Sequence, residues 1–210
     1  MTFDQFYDEK PFHFGFLFGF ASSRFTVNHS DSIGVGPNNA VSVLSPGSFA
    51  FILGGIANLS ISKRFDLKSG INLALYERSV RYNFRGQSEF PDEIRESAWI
   101  EIPLLLKYKS NRRRNSRMYM ITGAKLGIET NVKKSGIGTT KLDTKKSDIS
   151  FEYGFGYEKF LQYFKFTPEL RFSFGLTDMF NQPNSNSTSP YSVGIKRLST
   201  NTVTLLINFE

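Results

Sequence analysis

"PFHFGFLFGF", residues 11–20, carries a phenylalanine at every second position: Phe12, Phe14, Phe16, Phe18 and Phe20, with His13, Gly15, Leu17 and Gly19 between them. A period of two residues belongs to a β-strand, whose side chains leave alternately from opposite faces. One face of this strand is wholly aromatic and the other is nearly bare. The aromatic face requires a very apolar cover.

The same device recurs along the chain. After residues 11–27 come "SFAFILGGIANLSIS" (48–62), "DLKSGINLALYERSVRYNF" (66–84) and "AWIEIPLLLKY" (98–108). They are followed by "RMYMITGAKLGIET" (117–130), "DISFEYGFGYEK" (148–159), "YFKFTPELRFSFGL" (163–176) and "TNTVTLLINFE" (200–210). In the sixth run Ile149, Phe151, Tyr153, Phe155 and Tyr157 alternate with Glu152, Gly154, Gly156 and Glu158. Capped runs of helical period are absent, so the chain reads as all-β with eight strands.

The connections are long at 28–47, 85–97, 131–147 and 178–199, and short or moderate at 63–66, 109–116 and 160–162. Long and short alternate strictly. An antiparallel up-and-down meander with tight turns at one end and long loops at the other is the plan of a transmembrane β-barrel, with turns and both termini expected in the periplasm and four long loops outside the cell.

Alternation also fits a soluble barrel turned inside out, and side-chain size separates the two. An eight-stranded barrel has an interior just wide enough to be filled by side chains. Rows of rings from strands one, six and seven would overfill it. Placed outside, the rings meet lipid, and the Gly and Ala of the other face leave room for charged side chains. Phe12, Phe65, Tyr108, Tyr157, Phe164 and Phe209 then form an aromatic girdle beside the turns. Pro103 and Pro168 fall in mid-strand, where a closed sheet has no edge to hide them, and bulges or local irregularity are expected there.

Composition narrows the possibilities. Charged residues make up 21% of the 210 residues and aromatics 15%, with 22 Phe against one Trp, so the surface is poor in charge. The net charge is +7, yet the basic residues cluster in connections instead of striping one face, which argues against a nucleic-acid partner. No cysteine is present, so disulfides, thiolate metal sites and a cysteine nucleophile are excluded. No apolar run reaches the length of a membrane-spanning helix. Residues 1–10 lack the apolar core of a signal peptide and read as a periplasmic N-terminal tail, with the barrel spanning 11–210.

On the inner face, Arg78, Glu101, Lys107, Lys125, Glu152, Glu169 and Arg171 are candidates for a lumen charge network. Charges removed from water must be paired, so a salt-bridged plug is expected in place of a pore. The two histidines, His13 and His29, have no companions for a metal set, and no nucleophile motif is visible; the reading is non-enzymatic, without cofactor or metal. The densest charge, "KYKSNRRRNSR", brings Lys107, Lys109, Arg112, Arg113, Arg114 and Arg117 to the turn side. Arg112, Arg113, Arg114 and Arg117 are candidates for contact with lipid headgroup phosphates or with an acidic periplasmic partner. Lys133, Lys134, Lys141, Lys145 and Lys146 in the third long loop suit phosphates of the opposite leaflet.

At "WIEIPLLLKY" and "SFEYGFGYEKFLQYFKFTPELRFSFGL" the chain resembles the PorT family of outer-membrane barrels from the Bacteroidetes. "FHFGF" and "SPGSFAFILGGI" look like that family's first two strands, so the likeness runs over nearly the whole chain. The I-P-L-L-L-K-Y element at Ile102 to Tyr108 is shared by many small barrels, and the hairpin within Phe151 to Leu176 is more telling. The resemblance implies a component of the type IX secretion system, in contact with translocon or periplasmic proteins and with outer-membrane lipids. In gliding relatives that system supports adhesin delivery. It defines no catalytic or ligand-binding residues. A surface adhesin or ligand-binding barrel working through its long loops is the alternative.

Overall fold

The computed structural model describes residues 10–29, 40–45, 47–84, 93–135, 145–179 and 195–210. For residues 27, 29, 40–44, 78–84, 93–95, 131–135 and 195 it describes the backbone alone. The strands are β1 (Phe12–His29), β2 (Ala40–Leu44), β3 (Ser48–Ser60), β4 (Phe65–Phe84), β5 (Glu93–Lys109), β6 (Ser116–Ser135), β7 (Ser147–Phe160), β8 (Lys165–Gly175) and β9 (Ile195–Phe209).

Eight of them close a barrel. Strand β1 pairs with β3, each of β3 to β8 pairs with its successor, and β9 returns to β1, every ladder being antiparallel. The expected all-β, eight-stranded up-and-down barrel is therefore present. Strand β2 was not foreseen; it extends the sheet beyond the wall by pairing Ala40–Leu44 with 81–84 of β4.

The three short turns gather at one end. Ile61 and Ser62 donate to the Phe65 carbonyl, Arg113 and Ser116 exchange a pair of backbone bonds, and Leu161 donates to Phe164. The chain ends are stitched to the same rim: Ser60 N donates to the Pro11 carbonyl, and Lys165 and Glu210 exchange two backbone bonds.

The phase of the alternation places the rings outside. Phe14 is 73% exposed, Phe16 57% and Phe20 58%, whereas Leu17, Gly19 and Ala21 are buried. Leu104 and Leu106 on β5, Met118 and Met120 on β6, Phe151, Tyr153 and Phe155 on β7 and Val203 and Leu205 on β9 continue this outer band. Phe12 to Phe20 spans eight rises, about 27 Å along the strand and roughly 21 Å along the barrel axis at a typical tilt, close to the height of a lipid-facing belt. The girdle holds: Phe12, Phe65, Tyr108, Tyr157 and Phe164 are exposed at the turn end. Phe209 joins them, its ring stacked on Phe16 at 5.0 Å across the β9–β1 closure and tilted against Phe164, just before β8, at 5.8 Å.

Neither proline forms a bulge. At Pro103 the β4–β5 ladder loses its pairs between Ser69↔Leu104 and Asn72↔Glu101 and resumes in the same register. The Ser69 hydroxyl donates to the Pro103 carbonyl at 2.9 Å. At Pro168 the β7–β8 ladder is interrupted between Gly156↔Glu169 and Lys159↔Phe166, again without a shift, while the β8–β9 side stays paired. A missing donor costs one ladder bond on one side, and the neighbouring strands hold the register. In the described wall the register shifts fall instead at Ala98/Trp99 in the β5–β6 ladder and at Asn28/His29 in the β1–β9 ladder.

Inside, two environments share the cylinder. Leu17, Ala21, Phe25, Ala50, Ile52, Ile56, Ala74 and Trp99 form an apolar cluster based on β1, β3 and the facing parts of β4 and β5. Strands β4 to β8 supply the charged half.

Candidate functional site

The inward positions of β4 to β8 build one ionic lattice. Toward the middle of the barrel Lys125 Nζ lies 3.0 Å from Glu101 and 3.2 Å from Glu152. The Tyr76 hydroxyl donates to Glu101 at 2.7 Å and the Ser173 hydroxyl to Glu152 at 2.5 Å. Arg171 bridges to the next layer, 3.5 Å from Glu152 and hydrogen-bonded through Nε to Glu169. Glu169 also accepts from Lys68 at 2.7 Å and from the Tyr119 hydroxyl.

The Tyr119 ring carries the lattice toward the turns, with Lys107 Nζ 4.3 Å from its centre. Below it Glu158 is completely buried and meets three cations: Lys107, Arg117 and, at 3.2 Å, Lys165. Lys165 is shared with Glu210 at 2.6 Å, and Asp66 takes Lys109 at 2.5 Å and Lys107 at 3.9 Å. Burial alone would raise the Glu210 carboxyl, which lies beyond the last strand, but Lys165 and Lys107 beside it hold it down to about 2.

A lattice of this kind is demanded by its surroundings. An isolated ion in this interior would cost several kcal/mol, and the cost is offset only where each charge finds opposite charge and hydrogen bonds. Small inward residues make the room. The Cβ of any residue at Gly156 would lie 2.3 Å from the Tyr119 ring, so the glycine is what lets that ring cross to Glu169. A void lined by Tyr76, Trp99, Glu101, Lys125 and Thr200 measures about 10 Å³, room for one water at most. Among the described residues, ion pairs join inward side chains of β4 to β8 across the lumen.

Six of the seven expected lumen charges, Glu101, Lys107, Lys125, Glu152, Glu169 and Arg171, are buried in this lattice. The side chain of Arg78 lies outside the described residues. Sequence reasoning omitted Asp66, Lys68, Glu158, Lys165 and Glu210, although each shares the phase of the small residues on its own strand or run, and that phase was the available signal. The lysines at 133, 134 and 141 and the histidine at 29 also lie outside the described residues or side chains; Lys145 and Lys146 are exposed.

The basic rim divides differently from the expectation. Arg117, expected to contact headgroups, points into the barrel and is bound to Glu158, because the wall of β6 already begins at Ser116 and Arg117 falls on its inner phase. Lys109 is likewise internal. Arg112 is half-buried, its guanidinium 3.7 Å from the centre of the buried Phe160 ring and its Nε donating to the Arg114 carbonyl at 2.9 Å. Arg113 and Arg114 are exposed at the tip. Arg114 has φ of 55°, the left-handed region that glycine usually fills at this position of a two-residue hairpin turn.

The sequence profile of a family described as outer membrane protein beta-barrel domain matches residues 3–181. The chain belongs to that family. Its place is the outer membrane, and the ring-rich band is the surface that meets lipid. No curated protein sequence matches this family member. Among solved structures it is similar to the outer membrane protein OprG from Pseudomonas aeruginosa, at 12% identity and a TM-score of 0.59, over 93% of each chain. It also matches Ail, the attachment invasion locus protein of Yersinia pestis (12% identity, TM-score 0.37, 93% of this chain and 96% of that one), and the outer membrane protein AlkL (11%, 0.41, 93% and 87%). At these identities the OprG likeness speaks to the barrel fold.

Proposed function

We propose that this outer-membrane barrel is a non-enzymatic scaffold that acts through its two ends, as an accessory component of the type IX protein secretion system, with its short turns and both termini in the periplasm. The observation that carries the scaffold reading is the ion-paired interior: a lumen crossed by Glu158, Lys107, Arg117, Lys165, Glu169 and Arg171 in mutual contact leaves little for a solute to pass through. The link to secretion is supported by the PorT-like sequence at Ile102 to Tyr108 and Phe151 to Leu176.

Deletion of the gene in its host should abolish surface delivery of secreted cargo, and normal delivery in the deletion strain refutes the secretion role. Orientation is read separately. The chain has no cysteine, so a single one placed at Ser62 or Asn111 reports with a membrane-impermeant maleimide. Labelling in intact cells would contradict periplasmic turns.

The alternative, a surface adhesin or ligand-binding barrel, is favoured by one feature: β1, β4, β5 and β6 run 17 to 20 residues, well beyond the lipid-facing band, and β2 widens that extension. Trimming the long connections should then remove surface binding while cargo delivery persists.

A further inference from the structure

At the turn end a concavity of about 610 Å³ opens between the β3–β4 and β5–β6 turns. Its cationic side is Arg64 and Arg113, and its wall is Tyr108, Met118 and Tyr157. Lys109 and Arg117 reach its floor, but their charges are engaged by Asp66 and Glu158. Arg64 and Arg113 have no ion pair among the described residues. Met118 is 62% exposed and sits directly opposite Tyr157 across the β6–β7 ladder, so the wall is continuous with the lipid-facing band.

The geometry points to a phospholipid site: the phosphate of a headgroup seated on Arg64 and Arg113, with its acyl chains lying on Tyr108, Met118 and Tyr157. Guanidinium groups bind phosphate through paired, charge-assisted hydrogen bonds, and the water–membrane boundary is where an aromatic girdle meets headgroups. An acidic segment of a soluble protein would satisfy the arginines but would leave the exposed Met118 and tyrosine wall to lipid; a phospholipid satisfies both. The turns are fixed to one another by the bond from Lys109 N to the Arg64 carbonyl at 2.7 Å, so the two arginines come from adjoining, connected turns. The site rests on the turn end lying at a phospholipid leaflet, which is the orientation proposed above, and is independent of any role in secretion.

The test uses the full chain, delipidated in detergent, with phosphatidylglycerol or diacylglycerol added and retention followed by native mass spectrometry. The wild type should retain phosphatidylglycerol and release diacylglycerol. R64Q/R113Q should weaken phosphatidylglycerol by about ten-fold or more. K63Q/K159Q, which removes the same charge outside the concavity, should change it less than about two-fold. Fluorescence of Trp99, the sole tryptophan and a buried one, verifies that each variant is folded. Equal weakening in the two double variants, unchanged retention in R64Q/R113Q, or equal retention of diacylglycerol would overturn the site. So would arginine-dependent binding of polyglutamate without retention of phosphatidylglycerol, which would assign the surface to an acidic protein. Maleimide labelling that places the turns outside the cell would overturn the orientation, and with it the phospholipid occupant, even where the arginines bind phosphatidylglycerol in detergent.

Discussion

Glu158→Gln is the perturbation that most directly interrogates the sealed interior. The carboxylate is fully buried and holds Lys107, Arg117 and Lys165, the last at 3.2 Å. At an effective dielectric of about 20, a unit pair at that distance is worth about 5 kcal/mol, so three such contacts gather roughly 15 kcal/mol of gross attraction. Most of it is cancelled by the cost of stripping water from the ions. What survives is the penalty of leaving cations buried against a neutral amide, about 3–5 kcal/mol. With a guanidinium slope of about 4 kcal/mol per molar, the unfolding midpoint in lipid vesicles should fall by roughly 1 M. Trp99 is the natural probe, since it is the single tryptophan and faces the interior. Adding Lys107→Met to Glu158→Gln should recover part of the loss, because one stranded cation goes with its partner. A midpoint shift under about 0.2 M for Glu158→Gln would mean that water screens these charges, and the argument for a filled lumen would fail.

Three further expectations follow from other parts of the wall. Leu104→Arg puts a charge at the middle of the outer band and should cost about 2–4 kcal/mol in a bilayer; a loss under about 0.5 kcal/mol would show that this face meets water. Gly156→Ala drives a methyl into the Tyr119 ring, breaks its bond to Glu169 and should destabilise by about 1–3 kcal/mol with loss of near-ultraviolet circular dichroism; an unchanged spectrum would contradict the close approach. The Glu210 carboxyl, lowered from 4.5 to about 2, stabilises the fold above pH 4.5 and loses that contribution as the pH falls toward 2. Glu210→Gln should therefore flatten the acid limb of a stability–pH curve in this window, and an acid limb identical to wild type would refute the Lys165–Glu210 pairing.

Much of the fold was legible because period-two alternation is a local property. Phe12 to Phe20 announce a strand with one aromatic face, and ring size against glycine decides which face looks inward, since the lumen of eight strands has a fixed width. The alternation of long and short connections then gives the meander. The same phase rule could have found Lys68 and Glu158, which stand two residues from Gly70 and Gly156, and Lys165, which shares its phase with Glu169 and Arg171. Arg117 was misread for a different reason: in "KYKSNRRRNSR" nothing local marks where the turn ends and the wall resumes.

The sequence by itself thus determined the strands, the inner and outer faces and the kinds of residue that fill each. The closed sheet decided the partners. Glu158 on β7 gathers Lys107 from β5, Arg117 from β6 and Lys165 from β8, residues separated by as many as 51 positions along the chain. Which inward side chains share a layer depends on strand register and tilt, and these are fixed only when β9 closes on β1. The prolines obey the same logic: one residue forfeits a hydrogen bond, but seven other strands hold the register. Alternation is written residue by residue, whereas pairing across a cylinder is a property of the whole sheet.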